Sequence, residues 1–324
     1  MSTIEYASRS VDVPGGRIHV VEHGQGPLVV LVHGFPESWY SWRHQIPALA
    51  AAGYRVAAID VRGYGRSVKP ASLDEYGMLH LVSDVVGVIT ALGGGTPAVV
   101  IGHDWGATIA AQTALLRPDL VRAVGLLSVP YTPRNEHVPT EVFTALAPKG
   151  AEFYISYFQE PGRAEAEIEP DVREWLRGFY AALSAETGDM GVFMIPEGAE
   201  MRDAFPAATP AWLTDEILDR FTAELTAGAV TGGLNRYRCM DRDWALTGAW
   251  AGARILQPAL YIGGDKDGPG VWLKQAIENF PSTMPRAQTH LLKDCGHWMQ
   301  QEQPEQVNAL LTQWLGALPQ RDTE

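Results

Sequence analysis

Asp104 stands at the centre of the sequence GHDWG (residues 102–106), between an apolar run and a run of small residues. Glycines two positions before and after a residue let a strand and a helix approach closely and hold that residue in a strained, exposed turn. A carboxylate held in this way can attack an sp³ carbon and becomes an ester in the process. The segment therefore predicts a strand, a sharp turn and a helix, with Asp104 as a nucleophile at the turn.

Two later segments carry groups that could hydrolyse such an ester. The sequence GGDKD (263–267) follows one apolar run, and DCGHW (294–298) follows another. A histidine can take a proton from water when a carboxylate fixes its tautomer. His297 is the predicted base, and both Asp265 and Asp267 are candidates for the carboxylate. Spacing alone does not choose between these two aspartates.

Apolar runs that alternate with helical patterns supply the scaffold for these residues. A Gly-Gly turn at residues 15–16 predicts a hairpin. The later alternation predicts a parallel sheet covered on both faces after an antiparallel start, with ligands bound at the carboxyl ends of its strands. The predicted strands span residues 9–13, 17–22, 27–32, 56–59, 121–129, 254–262 and 288–292, the nucleophile's strand and helix span 97–116, and further helices span 78–92 and 304–318.

The sequence HGFPES (33–38) follows the third predicted strand. Ser38 is predicted to cap a helix that continues to Ala52, because a serine side chain accepts a hydrogen bond from a free amide in the first turn of a helix. The position of this loop at a strand end, beside the predicted nucleophile, favours a role in the site over a simple turn.

The alternation of strands and helices stops near Tyr131 and resumes with the strand at 254–262. The chain between these points has the pattern of helices and loops, and several of the helical segments are rich in aromatic residues. We therefore expect two core segments, residues 1–131 and 248–324, with a helical lid at 132–247 inserted between them.

Composition excludes several classes of protein. Of the 324 residues, 46% are hydrophobic and 19% are charged, as in ordinary globular proteins, and the formal net charge is −13. Without a run of Lys or Arg, nucleic acid and anionic membranes are unsuitable partners. There is no window of about 18 apolar residues and no apolar core at the N-terminus, so neither a membrane span nor a secretory signal is expected. Cys239 and Cys295 are too few for a disulfide framework, and we expect reduced thiols and a cytoplasmic location.

Five segments in this order resemble the epoxide hydrolases of the α/β-hydrolase fold, in particular the hydrolase domain of the soluble type. The similarity runs almost from end to end. It implies an α/β-hydrolase fold with a mostly parallel eight-stranded sheet flanked by helices, and an inserted helical cap. The segments are HGFPES (33–38), GHDWG (102–106), YISYFQEPG (154–162), LNRYR (234–238) and DCGHW (294–298).

The resemblance implies a role for each catalytic candidate. The nucleophile falls on Asp104, the acid on Asp267 and the base on His297. The two lid tyrosines that hold the epoxide oxygen fall on Tyr154 and Tyr237. A hydroxyl on the side opposite the attacking carboxylate can stabilise the negative charge that develops on that oxygen and supply a proton.

Backbone amides and apolar side chains complete the implied site. The oxyanion formed during ester hydrolysis needs donors, and the amides of Phe35 and Trp105 match the family arrangement. Pro36 would hold the loop in shape, and the family often has a cis peptide bond there. The rings of Phe35, Trp105 and Trp39 would give the pocket apolar walls that suit an apolar epoxide.

Other residues near these motifs receive no catalytic role. His33 and His103 are expected to form hydrogen bonds within their loops, and Tyr157 is expected to pack. Where the family commonly has an aromatic residue, this chain has Arg236, a cation expected to alter the pKa of Tyr237 or to close one side of the pocket. The sequence GPG (268–270) predicts a locally remodelled loop.

The predicted reaction is hydrolysis of a small apolar epoxide to a vicinal diol, through an alkyl ester on Asp104 and without a metal or organic cofactor. One alternative is a haloalkane or haloacid dehalogenase of the same fold, which uses the same aspartate and histidine but stabilises a leaving halide. Another is a non-catalytic receptor built on the fold. The two tyrosines favour the epoxide, and the resemblance further implies a homodimer.

Overall fold

The computed structural model describes residues 6–188, 190–226 and 229–319. Within these ranges, no helix combines the length and the apolar character needed to cross a membrane. The strands are β1 (Ala7–Val13), β2 (Gly16–His23), β3 (Leu28–Val32), β4 (Arg55–Ile59), β5 (Ala98–His103), β6 (Val121–Leu127), β7 (Ala151–Phe153), β8 (Met194–Pro196), β9 (Ala259–Gly264) and β10 (Ala287–Leu292).

The α-helices fall mainly between the strands and in the segment that separates β6 from β9. They are α1 (Gln45–Ala51), α2 (Met78–Gly93), α3 (Trp105–Leu116), α4 (Pro139–Leu146), α5 (Tyr154–Tyr157), α6 (Arg163–Ile168), α7 (Val172–Ala182), α8 (Asp215–Thr226), α9 (Ala229–Arg238), α10 (Met240–Leu246), α11 (Gly268–Trp272), α12 (Lys274–Glu278), α13 (Phe280–Thr283), α14 (Met299–Glu302) and α15 (Pro304–Gly316). Short 3₁₀ helices span Trp39–Trp42, Leu73–Tyr76, Glu169–Asp171, Met190–Phe193, Met201–Ala204 and Gly248–Trp250.

Eight strands form one sheet in the order β1-β2-β4-β3-β5-β6-β9-β10. The pairs β1/β2 and β2/β4 are antiparallel, and all the later pairs are parallel. The prediction of an antiparallel start and a mostly parallel eight-stranded sheet is therefore confirmed, as is the hairpin at residues 15–16. The carboxyl ends of β3, β5, β6, β9 and β10 all reach the same edge of the sheet, which is where the candidate residues lie.

Two apolar clusters cover the two faces of this sheet. Val30 and Val32 of β3 belong to one cluster, and Val29 and Leu31 belong to the other. Successive side chains of a strand point to opposite faces, so a strand covered on both sides is apolar at every position. The first cluster also includes the aromatic side chains of the segment between β6 and β9, so the core of the sheet and the packing of that segment are continuous.

The predicted helix from Ser38 to Ala52 is wrong as a single element. Ser38 does cap a helix, because its side chain accepts a hydrogen bond from the Tyr40 amide at 3.2 Å, but that helix is the 3₁₀ turn that ends at Trp42. A separate helix, α1, starts at Gln45. Proline lacks an amide hydrogen and its ring clashes with the carbonyl four residues earlier, so Pro47 prevents one continuous α-helix through this region.

The inserted segment, defined here as residues 128–258 between β6 and β9, contains helices α4 to α10. It also contains the two-stranded antiparallel ribbon β7/β8, which the prediction of helices and loops does not include. Each of these strands has three residues, too few for an alternating pattern to be recognised. The strand predicted at 254–262 begins later, at Ala259, because the proline at position 258 has no amide to give to a sheet.

Candidate active site

Asp104 lies in the turn between β5 and α3 with φ +54° and ψ −122°. Residues other than glycine rarely adopt this left-handed backbone conformation, and such backbone strain is concentrated at functional sites. Gly102 makes the turn possible, because a Cβ atom at that position would overlap the backbone of Gly106. The strand, the turn and the helix predicted from the GHDWG sequence are therefore present, and they hold Asp104 at the carboxyl end of β5.

One carboxylate oxygen of Asp104 is held by a backbone amide. The Phe35 amide donates a hydrogen bond to Asp104 Oδ1 at 2.9 Å, and the Trp105 amide lies near enough to lower the pKa of the same carboxylate. Gly34 permits the contact, because a Cβ atom there would overlap the Asp104 side chain. Burial raises the pKa of Asp104 above its ordinary value, while His297, His103 and the two amides act in the opposite direction.

His297 lies between two carboxylates. Its Nδ1 is 2.9 Å from Asp267 Oδ1, and its Nε2 is 3.6 Å from Asp104 Oδ2. Burial lowers the pKa of His297, but the charges of Asp267 and Asp104 outweigh burial and raise that pKa to about 9. The ring is therefore an imidazolium at neutral pH while Asp104 is ionised, and it is oriented by the fully buried Asp267.

The structure distinguishes the two aspartates that spacing left open. Asp267 contacts the imidazole, whereas the Asp265 side chain accepts a hydrogen bond from the Cys295 amide at 3.3 Å. Asp265 therefore ties the loop after β9 to the loop after β10. Asp267 is followed directly by α11, which is the structure formed by the GPG sequence (268–270).

Ser128 was missed by the sequence analysis. It follows β6 with φ +71°, and its Oγ lies 3.0 Å from His297 Nδ1. Its carbonyl accepts a hydrogen bond from the Tyr261 hydroxyl at 2.8 Å, and the residue is fully buried. The signal that could have identified it is its position: it ends the parallel strand that lies between the strands of Asp104 and Asp267.

His33 forms a hydrogen bond within its loop, as predicted, because its Nδ1 lies 2.8 Å from the Gly34 carbonyl oxygen, whereas the hydrogen bonds of His103 reach other loops. His103 bridges the carboxylate of Glu37 and the backbone carbonyl of His297, each at 2.8 Å. His33 Nε2 accepts a hydrogen bond from the Val61 amide at 3.0 Å. Although burial acts to raise the pKa of Glu37, the neighbouring His103 holds it below its ordinary value. The buried pair of His103 and Glu37 therefore supports the loop that carries His297.

Tyr154 and Tyr237 come from the inserted segment and lie close together. Tyr154 is the first residue of α5, and Tyr237 belongs to α9. Their ring centroids are 6.2 Å apart, and the Tyr237 ring also packs edge-on against Phe35 and Trp105. Burial raises the pKa of both hydroxyls, and the charge of Asp104 raises them further. Both groups are therefore protonated near an anionic carboxylate.

Two other residues named from the sequence, Trp39 and Tyr157, lie away from Asp104. The Trp39 ring packs against Tyr6 and Tyr40 in the second apolar cluster, and its backbone amide donates to Asp60 at 3.0 Å. The structure therefore does not bring Trp39 to the rings of Phe35 and Trp105. Tyr157 donates a hydrogen bond to Glu167 at 2.5 Å, away from Asp104.

Pro36 follows a cis peptide bond, and its carbonyl accepts a hydrogen bond from Tyr180 of α7 at 3.0 Å. This contact joins the loop that carries the Phe35 amide to the inserted segment. Among the residues that the structure describes, no cluster of three or more His, Cys, Asp or Glu side chains could hold a metal ion.

Comparison with known proteins identifies the family. Residues 27–304 match the α/β hydrolase fold family. Epoxide hydrolase B of Mycobacterium tuberculosis H37Rv is 42% identical over 96% of this chain and 98% of its own length. The solved structure of an epoxide hydrolase from an endophytic Streptomyces is 58% identical, with a TM-score of 0.94 over 97% of this chain and 96% of that one. Epoxide hydrolase A from Mycobacterium thermoresistibile is 44% identical, with a TM-score of 0.91 over 98% of this chain and 100% of that one. The chain therefore belongs to the α/β-hydrolase fold family and, within it, to the epoxide hydrolases.

Proposed function

We propose that Asp104 opens the epoxide by nucleophilic attack through Oδ2. Its other oxygen, Oδ1, is occupied by the Phe35 amide, and Oδ2 is the atom nearer to His297. Attack forms a bond from Oδ2 to an epoxide carbon while the bond from that carbon to the epoxide oxygen breaks. The product of this step is an alkyl ester of Asp104 with the former ring oxygen as an alkoxide.

We propose that Tyr154 and Tyr237 receive this alkoxide. Both hydroxyls have raised pKa values and are protonated when substrate binds, so each can donate a hydrogen bond and one can transfer its proton. In this proposal the inserted segment acts as a cap over Asp104, with the cap domain spanning residues 132–247 between core segments 1–131 and 248–324. Attack then comes from the core, and stabilisation of the oxygen comes from the cap.

The second step would be hydrolysis of the ester by water. His297 takes a proton from water, and the resulting hydroxide attacks the Asp104 carboxyl carbon. Negative charge then develops on Oδ1, to which the Phe35 amide already donates, and we assign the Trp105 amide as the second donor to this oxyanion. When the intermediate collapses, the diol oxygen leaves with the proton held by His297, and Asp104 is restored.

Ester formation itself prepares His297 for this second role. The Asp104 charge is one of the causes that raise the pKa of His297 to about 9. Once Asp104 is an ester it has no charge, so the pKa of His297 falls and the ring gives up its proton, while the tyrosine that protonated the alkoxide regains one. The imidazolium that pairs with the free carboxylate thus becomes a base only after the carboxylate has reacted.

The observation that carries this proposal is the pair of contacts on Asp104, with an amide on one oxygen and His297 near the other. A single turnover of styrene oxide in water enriched in heavy oxygen tests it. We expect the label on Asp104 and not in the diol, because water attacks the carboxyl carbon. Label in the diol alone would contradict the ester route, and chloride release from a haloalkane without turnover of styrene oxide would favour dehalogenation instead.

We also propose a substrate class, a cellular location and an oligomeric state for the protein. The rings of Phe35, Trp105 and Phe158 around Tyr237 support a small apolar epoxide as substrate. Cys239 and Cys295 are free and buried, which supports the reducing conditions of the cytoplasm. A homodimer remains an expectation from the family, and sedimentation of the purified protein would test it.

A further inference from the structure

Arg236, which precedes Tyr237 in α9, is a buried cation that connects the inserted segment to the core. Its guanidinium donates to the Tyr76 carbonyl at 2.9 Å and pairs with the Asp243 carboxylate. The same guanidinium lies over the Trp105 ring, 4.7 Å from its centroid. The chain therefore places a charge against the residue that follows the nucleophile.

The partner of Arg236 is itself anchored on the core. Asp243 accepts a hydrogen bond from the Met78 amide at 2.7 Å, at the start of α2. Arg236 and Asp243 are both buried, so neither charge can lose its partner without a large desolvation cost. The guanidinium is thus fixed in position over Trp105, in contrast to a solvated surface arginine.

Trp105 links this charge to Tyr237. The two rings meet edge to face, with centroids 5.2 Å apart and planes at 84°. A cation over the indole attracts its π electrons, which holds the ring in place. The Tyr237 ring is therefore packed against an indole whose own position is fixed by the guanidinium.

We propose that Arg236 is a positioning residue for Tyr237 that acts through Trp105. The guanidinium fixes the indole, the indole packs edge to face against the Tyr237 ring, and the Tyr237 hydroxyl is thereby held where it can donate to the epoxide oxygen. This inference rests on the proposed role of Tyr237 as a donor. The inference also assigns a function to position 236, where this chain has an arginine and the family commonly has an aromatic residue.

A double-mutant cycle with Tyr237 tests this inference. We expect Arg236→Met to slow formation of the Asp104 ester from styrene oxide by about tenfold while the affinity for styrene oxide changes little. In the Tyr237→Phe background, the same substitution should slow ester formation by less than about twofold. Arg236→Lys keeps a cation beside the ring and should retain more of the rate than Arg236→Met. Quenched-flow mass spectrometry of the ester measures all these rates.

Arg238→Met is the matched control. Arg238 belongs to the same helix and forms a pair with Glu165, with each of its two terminal guanidinium nitrogens 2.8 Å from a carboxylate oxygen. This control should lower the melting temperature to a similar extent, without an effect on ester formation that depends on Tyr237. If it shows the same dependence on Tyr237 as Arg236→Met, general packing of the helix explains the result and the inference is overturned.

The remaining outcomes separate the inference from the proposed function. If Tyr237→Phe alone leaves ester formation unchanged, the proposed donor role fails and the inference fails with it. If Tyr237→Phe slows ester formation but Arg236→Met acts equally in both backgrounds, only the inference is overturned. If Arg236→Met does not fold, Trp105→Leu replaces it in the cycle, because this change keeps an apolar side chain and removes the ring that links Arg236 to Tyr237. Equal slowing by Trp105→Leu in both backgrounds then overturns the inference.

Discussion

The sheet edge and the inserted segment hold their functional groups in different ways. At the sheet edge, Asp104, Asp267 and His297 contact one another through hydrogen bonds and charge, and each follows a strand of the parallel sheet. In the inserted segment, Tyr154 and Tyr237 are surrounded mainly by aromatic rings. The first arrangement fixes a nucleophile and its base, whereas the second offers protonated hydroxyls in an apolar setting.

This difference suggests a division of the chemistry. A carboxylate with an adjacent histidine can form and hydrolyse an ester whatever the leaving group is. Two hydroxyls with high pKa values are useful when the leaving group is an alkoxide that remains attached to the substrate. We therefore expect the loss of Asp104 or His297 at the sheet edge to reduce turnover most strongly, and the loss of Tyr154 or Tyr237 to slow only the opening of the epoxide.

Asp104→Asn should have the largest effect, because an amide is a poor nucleophile and no ester can form. We expect turnover of styrene oxide to fall by at least about 10⁴-fold, while binding of the diol product persists. Steady-state assays and mass spectrometry of the intact protein would measure the two steps. An ester detected on another residue, with activity retained, would contradict the assigned nucleophile.

His297→Gln should block the second step alone. The ester on Asp104 is expected to form and persist, and turnover should fall by about 10³-fold, because general base catalysis is lost. Intact-protein mass spectrometry after mixing with styrene oxide would detect the added mass. A variant that turns over slowly without accumulating the ester would show that His297 acts earlier than proposed.

The pH dependence of ester hydrolysis should show a smaller effect than either substitution, and it tests the charges around His297. In the free enzyme, the charges of Asp267 and Asp104 raise the pKa of His297 to about 9. The ring is therefore a cation at neutral pH and loses its proton as the pH rises. In the ester the Asp104 contribution is absent, and the rate of ester decay should rise with pH around a midpoint below about 9. Single-turnover decay in a series of buffers measures this midpoint, and a value above that of the free enzyme would contradict the proposed switch.

Ser128→Ala should have the smallest effect of the sheet-edge changes. Asp267 still orients His297, so we expect ester decay to slow only a few-fold, in line with about 1 kcal/mol for one neutral hydrogen bond. Ester formation should be unchanged, which serves as the internal control. A loss as large as that of Asp267→Asn would mean that Ser128, and not Asp267, is the main partner of the imidazole.

The sequence predicts most of the fold because apolar strands and glycine turns are local signals. It does not predict contacts between distant segments. Asp267 is distinguished from Asp265 only when the loops after β9 and β10 meet, and Ser128 has no pattern beyond its place at a strand end. Trp39 and Phe35 are close in the sequence, yet their rings belong to different apolar clusters, and the sequence pattern carries no signal for that separation.

The most direct test of this division of chemistry between the sheet edge and the inserted segment uses the double variant Tyr154→Phe/Tyr237→Phe. Formation of the Asp104 ester is measured with two different electrophiles. Styrene oxide needs a donor for its alkoxide, whereas a reactive alkyl iodide of similar size releases iodide without a proton. We expect ester formation on Asp104 from the epoxide to fall by about 10²-fold or more, and ester formation from the iodide to remain near that of the unsubstituted enzyme. Equal loss with both electrophiles would show that the tyrosines support the nucleophile itself, and would contradict the division.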